Sequence, residues 1–188
     1  MSQQKTILLT GAAGFIGFHM AQAFARQGDR PIGFDNFNPY YSPELKKKRA
    51  LLLQEMGIEV IDGDLNDSKK LQTVFKKHDF THVLHLAAQA GVRYAQKNPE
   101  AYIQSNVHGF LSILEMLRHY PHIKLIYASS SSVYGRNEKI PFSTQDTTDQ
   151  PANLYAATKK ANELMAYSYN HLYGIRSIGL RYFTVYGP

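Results

Sequence analysis

Cysteine is absent from the 188 residues, which removes disulfides, thiolate zinc sites and a thiol nucleophile from consideration. Also missing is any run of about 18 uninterrupted apolar residues, the least that crosses a membrane as a helix. Met1 to Lys5 shows no signal-peptide pattern and leads straight into an apolar stretch. These absences predict a soluble, cytoplasmic protein with no membrane partner. Repeats, low-complexity tracts and interdomain linkers are lacking too. The length and the 44% hydrophobic content suit one core and a single domain over 1–188.

Suitably spaced histidines are missing as well. His82 and His85 lie three apart in a strand-like run and should face opposite ways, so no metal site is expected. No histidine is placed to activate a serine, which disfavours a serine hydrolase. The formal charge of +6 raises nucleic acid as a partner. However, the positive residues are dispersed. The one run, Lys46 to Arg49, lies in a helical pattern beside Leu45 and Leu51 to Leu53 and reads as a solvated helix face, so no nucleic-acid partner is expected. Asn66-Asp67-Ser68 matches a glycosylation acceptor but, without a secretory signal, reads as ordinary loop.

What is present is an alternation. KTILLT, RPIGFDN, IEVIDGD, THVLHLAA, KLIYASS and RSIGLRYF read as strands. Between them, GFIGFHMAQAFARQG, PELKKKRALLLQEMG, SKKLQTVFKK behind a Ser68 cap, PEAYIQSNVHGFLSILEMLRHY and YAATKKANELMAYSYNHLYG read as helices. Strict alternation predicts an α/β fold, a doubly wound parallel sheet with helices on both faces. In such a sheet, ligands bind beyond the carboxyl ends of the strands, which here carry glycine, serine and carboxamide side chains.

The loop after the first strand is TGAAGFIG, with Gly11, Gly14 and Gly17 three apart. Glycines there allow a tight turn, and the amides opening the next helix can hold a pyrophosphate. Asp35 ends the second strand 18 residues past Gly17. A carboxylate in that place binds both hydroxyls of an adenosine ribose and repels a 2′-phosphate, so the expected cofactor is NAD rather than NADP. Asp64, in GDLND, can reach an adenine amino group or cap a loop.

LYAATKK places Tyr155 four residues before Lys159. With 13 tyrosines in the chain, chance alone supplies about one Tyr-x-x-x-Lys. Tyr120 and Lys124 are such an accident, because Pro121 biases Tyr120 away from helical torsions. Tyr155 and Lys159 instead lie among good helix formers and should share one helix face. ASSSSVYG offers a serine to hydrogen-bond a substrate oxygen on which charge develops.

TGAAGFIG, Asp35, HLAAQAGVRYA, SNVHG, ASSSSVYG and LYAATKK, in this order, resemble the extended short-chain dehydrogenase/reductase family. More narrowly, the whole chain is similar to its NAD-dependent nucleotide-sugar epimerases. The resemblance implies a Rossmann fold with Tyr155 as catalytic base and acid, Lys159 as its activator and a ribose ligand, and Ser130 hydrogen-bonded to the reacting sugar oxygen. It also implies that NAD is lined by Gly11, Gly14, Phe15, Ile16, Gly17, Asp35, Asn36, Asp64, Leu65, Leu86, Ala87 and Ala88, with Asn106 near the nicotinamide. A free tyrosine has a pKa near 10. A lysine cation and the positive nicotinamide ring are expected to lower it toward the working pH while hydride passes to NAD.

Members of the family that eliminate water or decarboxylate usually carry acidic residues where this chain has Ser131 and Ser132, which leaves epimerisation at C4. DNFNPYYSPELK, HLAAQAGVRYA, ASSSSVYG and RYFTVYGP resemble the branch acting on UDP-glucuronate. Ser131, Ser132 and Thr184 are then candidates to hold its carboxylate, and Arg93 is a further candidate for substrate contact. UDP-glucose or UDP-N-acetylglucosamine epimerisation is the alternative in the same class, and a non-catalytic NAD-binding module the alternative from another. The family implies a homodimer, paired through helices near Pro99–Tyr120 and Ala152–Tyr173. It also implies a smaller substrate domain after YGP, so the chain is expected to be the cofactor-binding portion of a longer enzyme, with doubtful turnover by itself.

Overall fold

The computed structural model describes residues 4–188; Met1 to Gln3, part of the segment read for a signal peptide, lie outside the described residues. Six strands, β1 (Thr6–Thr10), β2 (Arg30–Asp35), β3 (Val60–Asp62), β4 (His82–His85), β5 (Lys124–Ser130) and β6 (Ser177–Tyr182), form one sheet in the order β3-β2-β1-β4-β5-β6. Every pairing is parallel. The order reverses direction between β1 and β4, and this switch point opens a crevice at the carboxyl ends of those two strands.

β1 shows why the sheet must be covered on both faces. Its alternate residues enter different cores: Ile7 and Leu9 join Ala21, Leu53 and Leu84, while Leu8 joins Phe34, Phe110, Ile113 and Leu117. A parallel strand buried on both sides therefore reads as an unbroken apolar run. The first core lies under α1 (Phe15–Arg26) and α2 (Pro43–Glu55). The second lies under α3 (Ser68–Lys77), α5 (Gly109–His119) and α6 (Leu154–Tyr173). Each fully buried Leu or Phe contributes roughly 1.5–3 kcal/mol relative to exposure.

The elements anticipated from sequence are present, with two local differences. α3 is capped by Asp67, whose carboxylate accepts from the Lys70 amide at 3.0 Å, so Ser68 is its first helical residue rather than its cap. The expected single helix from Pro99 is interrupted: α4 (Pro99–Tyr102) passes through a π-helical stretch, Ile103–His108, before α5. Tyr120 ends α5 and Lys124 begins β5, so this pair shares no helix face. Among the described residues, no helix is long and apolar enough to cross a membrane.

α2 carries the largest departure. Its buried residues are Lys46, Ala50 and Leu53, spaced four and three apart on one stripe. Lys47 and Lys48 are exposed as expected, but Lys46 is only 7% exposed and faces the body of the protein. The solvated-face reading fails at Lys46, because i, i+4, i+7 geometry outranks its charge.

Candidate active site

Gly11 leaves β1 with φ +71°, a left-handed conformation that costs glycine nothing. A Cβ there would stand 2.8 Å from the Ala87 amide nitrogen, so the tips of β1 and β4 approach as closely as backbone allows. At Gly17 a Cβ would collide with the Gly11 carbonyl oxygen, which packs α1 hard against the turn. Gly14 is the N-cap of α1 and supplies no capping side chain. The amides at the start of α1 therefore lack a side-chain cap and carry the positive end of the helix dipole; of Gly11, Gly14, Phe15, Ile16 and Gly17, only Gly11 and Gly14 line the crevice wall.

Asp35 is buried at the end of β2. Its carboxylate accepts from the Ala13 amide at 3.1 Å and the Phe37 amide at 2.9 Å, joining the glycine turn to the β2 loop. Asp64 accepts from the Asn36 amide group at 2.9 Å and from the Asn66 backbone at 2.8 Å. Of the two readings given for Asp64, loop capping is thus observed, and the residue also faces the crevice. Gly11, Gly14, Asp35, Asn36, Asp64, Leu65, Leu86, Ala87 and Ala88 all line one cleft. Tyr40, Tyr41, Lys46 and Gln89 line it too, and sequence reasoning did not single them out. For Lys46, the signal was the 46, 50, 53 spacing.

Tyr155 and Lys159 do lie one helical turn apart on α6. Lys159 is 2% exposed and donates to the Ala128 carbonyl of β5 at 2.9 Å. Burial lowers its pKa to about 8. His85, behind it, is driven down to about 3 by burial and then by the Lys159 charge. Paired at 2.9 Å with the Thr10 hydroxyl, His85 stays neutral and adds no competing cation.

Tyr155 departs from expectation. Burial raises its phenol above the ordinary 10, and the Ser130 hydroxyl beside it acts in the opposite direction. Desolvation of the phenolate outweighs the Ser130 hydroxyl in the protein alone, Lys159 is not among the groups that shift it, and the other influence expected, a positive nicotinamide ring, comes only with bound cofactor. The ring of Tyr102 holds Tyr155 edge-on, with centroids 6.3 Å apart.

The serine loop divides its labour. Ser129 donates to Glu163 at 2.6 Å, and that carboxylate is also gripped by Arg181 at 2.9 and 3.0 Å. Ser130 accepts from the Ser132 amide at 3.1 Å and keeps its hydroxyl at Tyr155. Ser131 and Ser132 open a 3-10 turn and are partly buried. Arg93 and Thr184 are exposed, each after a strand tip, and neither makes a side-chain hydrogen bond among the described residues.

Asn106 is fully committed to the chain. Its oxygen accepts from the Gln89 amide at 2.7 Å, and its nitrogen donates to the Gln89 carbonyl at 3.1 Å and the Thr158 hydroxyl at 3.0 Å. The π-helical stretch thereby clamps the loop after β4 to α6. Gln89, held this way, has a buried Nε2 without a partner on the cleft wall.

A doubly wound parallel sheet with a glycine turn against a free helix N-terminus defines a Rossmann-type dinucleotide-binding protein. The model of the NAD dependent epimerase/dehydratase family matches residues 7–188, and the chain belongs to that family. It is 57% identical over 184 residues to UDP-glucuronate 4-epimerase 4 of Arabidopsis thaliana, covering 97% of this chain and 42% of that protein. Among solved structures, the UDP-glucuronic acid 4-epimerase of Bacillus cereus, in complex with UDP-glucuronic acid and NAD, matches with TM-score 0.84 and 35% identity over 97% of this chain and 58% of its own. The UDP-glucose 4-epimerase of Thermus thermophilus, in complex with NAD, gives 0.85 and 32% over 97% and 56%. The chain spans about half the length of the curated relatives it matches.

Proposed function

We propose that this chain is the NAD-binding domain, residues 1–188, of a UDP-glucuronate 4-epimerase that interconverts UDP-glucuronate and UDP-galacturonate. The carrying observation is Ser130, Tyr155 and Lys159 gathered at the tip of β5 beside the cleft of Gly11, Gly14 and Asp35. The cleft fits NAD on its own evidence. The glycine turn packs against Ala87 and α1 too closely for side chains, the start of α1 is uncapped, and Gln89 presents a side-chain nitrogen without a partner. Asp35 suits a ribose diol and opposes a 2′-phosphate.

NAD supplies a reversible hydride acceptor. The chain's own groups handle the rest. Tyr155 takes the proton from the C4 hydroxyl and returns it, Ser130 steadies the same oxygen, and Lys159 supplies the charge that stabilises phenolate. The sugar passes through a 4-keto form and is reduced on its other face. Ser131, Ser132 and Thr184 are assigned to the carboxylate and Arg93 to the substrate. This choice of sugar over UDP-glucose or UDP-N-acetylglucosamine is supported by identities of 54–57% to plant UDP-glucuronate 4-epimerases.

The remaining assignments are a cytoplasmic location and a homodimer formed across α5 and α6, whose Leu111, Leu164 and Tyr167 are exposed. The decisive experiment supplies UDP-glucuronate and NAD to a form carrying the further residues its relatives have. UDP-galacturonate is expected. NAD binding with no conversion of UDP-glucuronate would sink the assignment, and light scattering checks the dimer.

A further inference from the structure

Lys46 is buried on the inward stripe of α2, and its side chain lines the same cleft wall as Asp35, Asn36 and Asp64. An ammonium carries three donor hydrogens. One is given to the Asn38 carbonyl at 2.9 Å, and the Tyr41 ring lies 4.6 Å from the charge. Among the described residues, no second acceptor lies within hydrogen-bonding reach of Nζ. Burial lowers the lysine's pKa while the Asp35 carboxylate opposes that effect, yet the two form no ion pair within 4 Å. The chain thus keeps an ammonium with spare donors close to a carboxylate at the end of β2 without joining them, and Lys47 and Lys48 on the same helix stay in solvent.

We propose that Lys46 is a further dinucleotide-binding residue, donating to the adenosine ribose hydroxyls that in turn donate to Asp35. This rests on the NAD-binding reading above. An ionised carboxylate only accepts and an ammonium only donates, whereas a hydroxyl does both. Asp35 alone leaves the hydroxyl lone pairs without a donor from the chain. Its own oxygens each accept one backbone amide, from Ala13 and Phe37, and retain capacity for a ligand. Lys46 and Asp35 together complete both halves of the diol's hydrogen bonding, so the pair selects a free diol by donor and acceptor pattern, while the carboxylate alone opposes a 2′-phosphate.

The test compares the wild-type protein with Lys46→Met by calorimetry, using NAD and analogues lacking the 2′- or 3′-hydroxyl of the adenosine ribose. Lys46→Met is expected to weaken NAD about tenfold, in the range of a charge-assisted hydrogen bond, and to weaken at least one deoxy analogue by clearly less. Equal weakening of all three ligands would show that Lys46 acts only by holding the Asn38 loop, and overturns the proposal. Unchanged NAD affinity overturns it as well. Wild-type protein that binds no NAD would remove the functional reading and this inference with it. Should Lys46→Met fail to fold, Lys46→Gln, one atom shorter and still a neutral donor, carries the same comparison.

Discussion

Lys159 donates from Nζ to the carbonyl oxygen of Ala128 at 2.9 Å, fastening the Tyr155–Lys159 turn of α6 to the carboxyl end of β5. One bond thereby sets two things. It fixes the height of Tyr155 over the Ser130 loop, and it holds an ammonium out of water, where burial lowers its pKa to about 8.

That value sets a pH dependence. Lys159 loses its proton in the folded protein above about pH 8, whereas the unfolded chain keeps it to about 10.5. Between these limits the unfolded state binds more protons, so this titration makes the fold more stable as pH rises. Turnover of the proposed epimerase should move the other way, falling above about pH 8 as the charge assigned to stabilising phenolate disappears. A pH series of rate and melting temperature on the same samples checks both signs; parallel decline would contradict the assignment.

Tyr155→Phe removes the proposed proton-transfer group and little packing, since the ring against Tyr102 remains. Epimerisation should fall by roughly 10²–10⁴-fold, the usual contribution of a positioned general acid or base, with NAD affinity within a factor of about two. A binding module without catalytic function would register no change in the output it controls.

The alternation of strands and helices, and with it the sheet, was legible because buried parallel strands are apolar throughout and because Pro43 and Gly174 mark helix ends, Pro43 opening α2 and Gly174 closing α6 at φ +68°. The glycine turn and Asp35 were legible for the same reason, since local backbone demands write themselves locally. Lys46 was not. A charge run advertises solvent, and only the stripe it shares with Ala50 and Leu53 argues otherwise. Nor does any local pattern announce that Asn106 spends its amide on Gln89 and Thr158, residues 17 and 52 positions away. The raised phenol of Tyr155 is a matter of burial, which spacing does not encode.

Asn106→Ala tests the clamp. The change strands the Gln89 amide and carbonyl in a buried setting and takes one donor from the Thr158 hydroxyl, which still donates to the Tyr155 carbonyl at 2.8 Å. At about 1–3 kcal/mol for a group left unsatisfied, a loss of roughly 3 kcal/mol is expected by denaturant titration, with the loop after β4 loosened. A loss below about 1 kcal/mol would mean that water replaces the clamp easily.

Gly17→Ala puts a methyl where the Gly11 carbonyl oxygen sits, with the Ala12 Cα 2.9 Å away. Neither neighbour is a flexible side-chain end, so α1 has to lift from the turn. Overpacking of this kind costs about 1–3 kcal/mol, which for a chain of this size lowers the melting temperature by roughly 3–10 °C. Because the same lift moves the start of α1, where the pyrophosphate is proposed to sit, NAD affinity should drop by more than stability alone requires. Melting curves with saturating NAD and without it separate the two effects: the stabilisation by NAD should shrink in the variant, and an undiminished ligand shift would place the pyrophosphate elsewhere.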